Sequence, residues 1–296
     1  MTGNLRRRLL AWLAPRPGAR AWALLAPGTA WLVLFFVVPM AVMLAYSVMP
    51  RGIYGGVRPG FTIEHYRRFL DPLYLTILRR TVVVSLACTA LCLLLGYPVA
   101  YAIARARRWK HVLLFLVVLP FWTSFLVRTF AMIFLLRDSG LINSWLLALH
   151  VIDRPIVMLY TPFAVMAGLV YGFLPFMILP IYASLEKLDL TLLEAAEVLG
   201  ARPAARFRRV TLPLSMPGVV AGCLLVLIPA LGSFITSDLL GGAKQLMIGN
   251  LVQNQFSAAR NWPFGSAASF IVMALVLTAV LLYLRMRDRA LVEARA

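Results

Sequence analysis

The chain has 296 residues, of which 62% are hydrophobic and only 14% charged, and it carries a formal net charge of +18. A water-soluble domain of this length would carry nearer to a quarter charged residues, so composition excludes an ordinary soluble protein. The positive charge does not require nucleic acid, because membrane proteins collect arginine and lysine in loops that face anionic lipid headgroups.

Residues 1–21 form a basic tail containing Arg6, Arg7, Arg8, Arg16 and Arg20. Apolar stretches of about 20 residues, enough to cross a hydrocarbon core roughly 30 Å thick, then recur along the chain. They are read at 22–48, 81–104, 112–136, 162–183, 216–237 and 264–284. The first is too long for a cleaved secretory segment and lacks a clear small-residue cleavage site, so it is expected to be retained. The pattern predicts an all-α polytopic membrane protein with six transmembrane helices in one domain over 1–296. The first loop is interrupted by Gly52, Gly55, Gly56, Pro59 and Gly60, and a short amphipathic helix is expected over Phe61–Tyr66.

Both termini and the 184–215 loop are expected on one face, which holds eighteen basic residues against ten on the other. By the positive-inside rule that face is cytoplasmic, including the C-tail at 285–296, although the first loop dissents with six arginines. Arg128 stands inside the third span and is expected to reach a carbonyl or the outer interface near Asp138. Pro98, Pro120, Pro175 and Pro229 mark spans that can kink. Small-residue stripes at Ala164, Gly168 and Gly172, and at Gly218 and Gly222, suit close helix contact, within the chain rather than at a subunit seam. Cys88, Cys92 and Cys223 read as small apolar packing residues, and the three histidines show no metal-ligand spacing.

The 184–215 loop is the most helix-patterned polar segment. Thr191 followed by Glu194 has the spacing of a capping box, which starts a helix of about two turns. Leu192, Ala195, Ala196 and Leu199 recur at helical spacing to give one apolar face. Gly200 suits the residue just past the helix end. Pro203 suits the first position of a second helix, with Phe207 and Val210 turned inward and Arg206, Arg208 and Arg209 outward. Leu212-Pro213 returns the chain to the bilayer. A smooth face of this kind fits a groove on a soluble partner; the alternative is a capped connector in which Glu194 serves its own helix start.

Glu194-Ala195-Ala196, Gly200, Val210 and Leu212-Pro213 together resemble the EAA loop of binding-protein-dependent ABC importer permeases of type I, with Val210 where isoleucine is usual. The stretches Leu231–Phe234, Asp238–Gly242, Lys244–Asn250 and Arg260–Pro263 are similar to the spermidine/putrescine subfamily, in which proline commonly stands where this chain has Ser237. The resemblance implies that the two short helices couple to a separate ABC ATPase dimer, with Glu194 facing a basic residue there. It also implies a second homologous permease subunit, a periplasmic solute-binding protein, and an inner-membrane location with cytoplasmic termini. No phosphate-binding Gly-x4-Gly-Lys-Ser/Thr run occurs, so no cofactor is expected on this chain and ATP with magnesium belongs to the partner.

For a cationic cargo such as a polyamine, Asp138, Asp153 and Asp238 are candidate attractive charges at the outer mouth, with solvated interface charges as the alternative. Trp122, Tyr171 and Phe173 are candidate cation–π faces, with ordinary packing or an interfacial belt as the alternative. The 49–80 loop suits contact with the binding protein or an interfacial lid. A secondary transporter would need an ionisable group at depth, and no carboxylate lies in mid-span. A membrane enzyme would need clustered catalytic groups, and none is found.

Overall fold

The structure is a computed structural model describing residues 17–106, 108–242 and 245–293. Arg6, Arg7, Arg8, Arg16, Arg107, Ala243, Lys244 and Arg295 lie outside these residues, and with them most of the predicted N-tail and part of the predicted C-tail. The described helices, in chain order, begin with α1 (Pro17–Leu32), α2 (Val38–Ser47), α3 (Glu64–Phe69), α4 (Pro72–Arg105), α5 (Lys110–Val118), α6 (Phe125–Leu136) and α7 (Leu141–Ala148). They continue with α8 (Pro162–Glu186), α9 (Leu190–Val198), α10 (Pro203–Arg206), α11 (Leu212–Leu231), α12 (Ile235–Gly241), α13 (Ile248–Phe256) and α14 (Trp262–Glu293). The chain separates into two compact units, Met1–Arg67 with Ala259–Ala296, and Arg68–Ala258.

In the first unit, α1 passes through a π turn at Val33–Val37 into α2. The turn precedes Pro39, which has no N–H to donate, and the wider turn lets Val38 N–H reach the Val33 carbonyl. α14 packs on α2, with the Tyr46 and Trp262 rings 6.3 Å apart. Between them the first loop folds tightly. Gly56 N–H donates to the Arg260 carbonyl at 2.8 Å, and Arg51 Nη2 donates to the Ala259 carbonyl at 2.8 Å. Gly55 has φ +96° and no room for a Cβ against Arg260, which fixes glycine there. The expected helix over Phe61–Tyr66 begins only at Glu64, because the Thr62 hydroxyl accepts from Glu64 N–H at 3.2 Å and leaves Phe61 exposed.

The second unit is organised on α8, which packs against α4, α11 and α12. Its buried apolar residues from Val165 to Leu185 join Cys88, Cys92, Ala100, Ile103, Val219 and Val226 in one core, while Ala164 packs with Leu136 and Leu240. Small residues set the distance. Gly96 faces Met177, Gly168 faces Thr236 and Leu240, Gly218 lies on the Pro180 carbonyl and Ser184, and Gly222 lies on Met177. The two glycine stripes therefore serve packing within the chain, as expected. α4 has 34 residues, about 50 Å at the usual rise, so it exceeds the hydrocarbon thickness. It starts nine residues before the predicted span because the Asp71 carboxylate accepts from Leu73 N–H at 3.0 Å and Pro72 takes the first helical position.

Two predicted spans are corrected. The third, 112–136, is broken: α5 ends in a 3-10 turn at Leu119–Trp122, Thr123 and Ser124 are extended, and the chain bends by 93° into α6. Pro120 removes a donor at this turn, whereas Pro98, Pro175 and Pro229 lie inside continuous helices. Among the described residues, five helices are thus long and apolar enough to cross a membrane, and six if the bent pair is one span. The fifth, 216–237, ends at Leu231, and Gly232–Phe234 turn the chain into α12. Asn250 bridges that turn by donating to the Phe234 carbonyl at 3.0 Å, and Gly249 lies too close to the Gly232 carbonyl to admit a side chain.

The helix contact at Gly218 gives a test. Gly218→Ala should lower stability by about 1–3 kcal/mol through overpacking against Pro180 backbone, whereas Gly28→Ala, where nothing lies within 4 Å of the new Cβ, should be neutral or slightly stabilising. Thermal unfolding of the purified variants in detergent reads the difference.

Candidate functional site

The 184–215 segment forms two short helices, α9 and α10, each joined closely to a core helix. α8 ends at Glu186, three residues before the cap of α9, and α10 runs through a π turn at Phe207–Thr211 into α11. The N-cap is Asp189, not Thr191: its carboxylate accepts from Thr191 N–H at 2.9 Å. The expected capping box of Thr191 and Glu194 is therefore corrected. Asp189 stands two residues earlier, is equally suited to the cap, and reaches the amide of the second helical residue. The Thr191 backbone amide, then its side chain, hold the Asp189 carboxyl below the usual carboxylate range.

That correction matters for Glu194, which is exposed and is not spent on its own helix start. Ala195 is exposed and Ala196 half-buried, while Leu192, Val198 and Leu199 are exposed at 47%, 87% and 85%. The apolar face predicted from spacing thus points away from the protein's own core. Gly200 has φ +78° and ends α9 in a Schellman turn: Ala201 N–H donates to the Ala196 carbonyl at 3.0 Å, and Gly200 N–H to the Glu197 carbonyl at 2.8 Å. The requirement at Gly200 is conformational, since a Cβ there meets nothing within 4 Å.

Pro203 occupies the first turn of α10 as expected. Phe207 and Val210 are half-buried and Arg208 and Arg209 exposed, but Arg206 turns back to pair with Glu197 and ties α10 to α9. Phe207 meets the Tyr97 and Tyr101 rings edge-on at 5.7 and 5.8 Å, and Tyr97 Oη shares a hydrogen bond with Ser215 Oγ at 2.9 Å. Lys110 pairs with Glu186 at the other root of the segment. Val210, Leu212 and Pro213 do not join Glu194 on the exposed face. They lie in the π turn and the start of α11, where the wider turn lets Leu212 N–H reach the Phe207 carbonyl just ahead of Pro213.

The candidate cargo residues are dispersed. Asp138 lies in the turn after α6, Asp153 between α7 and α8, and Asp238 in the first turn of α12; all three are exposed. Asn143, fully buried, ties the chain at Arg137 to that at Ile156 by bonds of 3.3 Å and 2.9 Å to their carbonyls, which sequence reading missed because a lone asparagine in an apolar helix carries no pattern. Trp122 is exposed beside Phe115, and Tyr171 is partly exposed. Phe173 is only 8% exposed within the core, so it offers no free face and is a packing residue in this conformation. Ser237, at the position where the subfamily commonly has proline, donates to the Gln245 carbonyl and closes the α12–α13 loop. Arg128 is half-buried, and its Nε and Nη1 are shielded from solvent and reach no carbonyl and no carboxylate among the described residues.

The cap predicts a pH effect. Because folding lowers the Asp189 pKa, its contribution is present above the unfolded carboxylate value, about 3.9, and is lost as pH falls through the folded value. Amide-exchange protection of residues 191–194, corrected for intrinsic exchange, should fall on acidification and in Asp189→Ala, and should be unchanged in Glu194→Ala.

The description "Binding-protein-dependent transport system inner membrane component" matches residues 93–291. The spermidine/putrescine transport system permease protein PotB of Escherichia coli (strain K12) is 47% identical over 83% of this chain and 91% of its own. A crystal structure of a bacterial ABC transporter involved in the import of the acidic polysaccharide alginate is similar in fold, with a TM-score of 0.69, 18% identity, and coverage of 94% of this chain and 98% of that one. The bacterial alginate ABC transporter in complex with an alginate pentasaccharide-bound periplasmic protein aligns with a TM-score of 0.67 and 20% identity over 91% of this chain and 94% of that one. With its multiple apolar helices and this match over two thirds of its length, the chain belongs to the family of inner membrane permease components of binding-protein-dependent transport systems.

Proposed function

We propose that this chain is one permease subunit of an ATP-driven importer for a small cationic solute, a polyamine of the spermidine or putrescine class. The cargo class is supported by 47% identity to a spermidine/putrescine permease over most of both chains. The observation that carries the coupling reading is the free face of α9, with Glu194, Ala195, Val198 and Leu199 exposed while Asp189 alone caps the helix. An exposed apolar face flanked by an uncommitted carboxylate suits a cleft on a soluble ATPase.

In this reading the termini and the 184–215 segment face the cytoplasm, and residues 1–296 serve as one transmembrane permease domain. ATP with magnesium is bound and hydrolysed by a partner ABC ATPase dimer, a second homologous permease subunit completes the pathway, and a periplasmic solute-binding protein delivers cargo. ATP binding draws the α9–α10 pairs of the two permeases together. The pull passes through the Glu197–Arg206 pair into α10 and α11, and through Glu186 into α8. Such coupling needs the docked position of α9 to differ between nucleotide states. Asp138, Asp153 and Asp238 supply a negative field at the entrance, and Trp122 and Tyr171 offer ring faces to ammonium groups.

In proteoliposomes holding the complete importer, Glu194→Lys and Gly200→Val should each lower spermidine uptake by roughly tenfold or more, the loss expected when a buried charge contact or a left-handed glycine is removed. Gly200→Asn should retain most activity, because asparagine tolerates positive φ. Wild-type uptake in both Glu194→Lys and Gly200→Val would reject the coupling role, and a cargo panel in which polyamines neither are transported nor stimulate ATP hydrolysis would reject the solute class.

A further inference from the structure

Arg128 lies one turn into α6, directly after the break at Thr123–Ser124. Its Nε and Nη1 atoms are shielded from solvent, and no oxygen acceptor among the described residues reaches them. The guanidinium carbon is 5.2 Å from the Phe121 ring centre and 5.7 Å from that of Phe125, and the slot is lined by Thr129, Met132, Tyr171 and Gly172. Ring faces attract a cation but accept none of its N–H bonds in the way a carboxylate does. The local field adds to the deficit. Ser124 makes no side-chain cap at the start of α6, so the positive end of that helix and the guanidinium carry the same sign. A charge within a membrane segment is costly unless it is paired or faces water.

The surroundings indicate what completes it. Trp122, Val127 and Phe130, on either side of Arg128, are exposed at 73%, 60% and 44%, an apolar surface around a half-buried cation with two shielded nitrogens. A cationic cargo would repel the guanidinium, and the chain's own carboxylates at Asp138, Asp153 and Asp238 are exposed on other elements. We propose that Arg128 is the docking point for a carboxylate side chain of the second permease subunit, brought into bonding distance in at least one state of the transport cycle. The inference rests on the two-permease reading given above. Bidentate geometry makes the pair directional, so forming and breaking it would mark one conformation of the pathway.

The test uses the complete importer with the second permease co-expressed. Arg128→Leu and Arg128→Glu should each lower uptake by roughly tenfold or more, as breaking a buried ion pair does, while Arg128→Lys should retain part of it. Acidic residues in the membrane segments of the second permease are then replaced one at a time by arginine in the Arg128→Glu background. One such swap should restore uptake, and cysteines at the same two positions should cross-link in one nucleotide state and not the other. Wild-type uptake in Arg128→Leu would overturn the proposal. So would a defect that no charge swap restores but that changes with the anionic lipid content of the vesicles, which would assign the acceptor to a lipid phosphate. Failure of the wild-type chain to co-purify with a second permease would instead remove the two-subunit reading on which the pair depends.

Discussion

The contact of α11 on α8 sets the geometry of everything near the candidate coupling segment. Gly218 and Gly222 bring one helix onto the backbone of the other at Pro180 and Met177, closer than any side chain allows. In lipid, where apolar surfaces gain little from burying each other, such close packing is a main source of helix association. The consequence is mechanical. α9 hangs from the end of α8 and α10 leads into α11, so the two roots of the exposed segment are attached to a closely packed helix pair. Only the three residues 187–189 separate α8 from α9, which leaves little slack between a displacement of α9 and that pair.

The ion pairs sit where this attachment needs reinforcement. Lys110 with Glu186 fixes the end of α8 to the start of α5, and Glu197 with Arg206 closes α9 on α10. Exposed pairs of this kind contribute little free energy, because water screens the charges and holding two long side chains costs entropy. Their value is directional, and the apolar contact of Phe207 with Tyr97 and Tyr101 supplies the holding force on the other side. Glu194, on the exposed face of α9, makes no such pair among the described residues.

Much of this was legible in the sequence where the chemistry is local. Gly200 needed a left-handed residue and Pro203 a missing donor, and both stand where the helices end and begin. The cap was misread because Asp189 and Thr191 are both good N-cap residues and only Thr191 had a glutamate three positions on. The break after Trp122 was hidden by hydropathy that stays high across Thr123-Ser124, and proline alone did not reveal it, since Pro98, Pro175 and Pro229 lie within unbroken helices. The bridges made by Asn143 and Asn250 join residues through tertiary contacts that no periodicity encodes. The family-like stretch from Leu246 to Asn250 proves to hold the end of α11 to α12, a structural duty that resemblance could not separate from cargo binding.

The central claim is that α9 is a handle on the cytoplasmic side gripped by a separate ATPase. The most direct measurement places a single cysteine at Leu199 in an otherwise cysteine-free chain and labels it with a membrane-impermeant maleimide. Labelling should occur in inside-out vesicles and not in right-side-out ones, and should be blocked when the ATPase subunit is added back. Labelling from the periplasmic side, or labelling unaffected by the ATPase, would contradict the account.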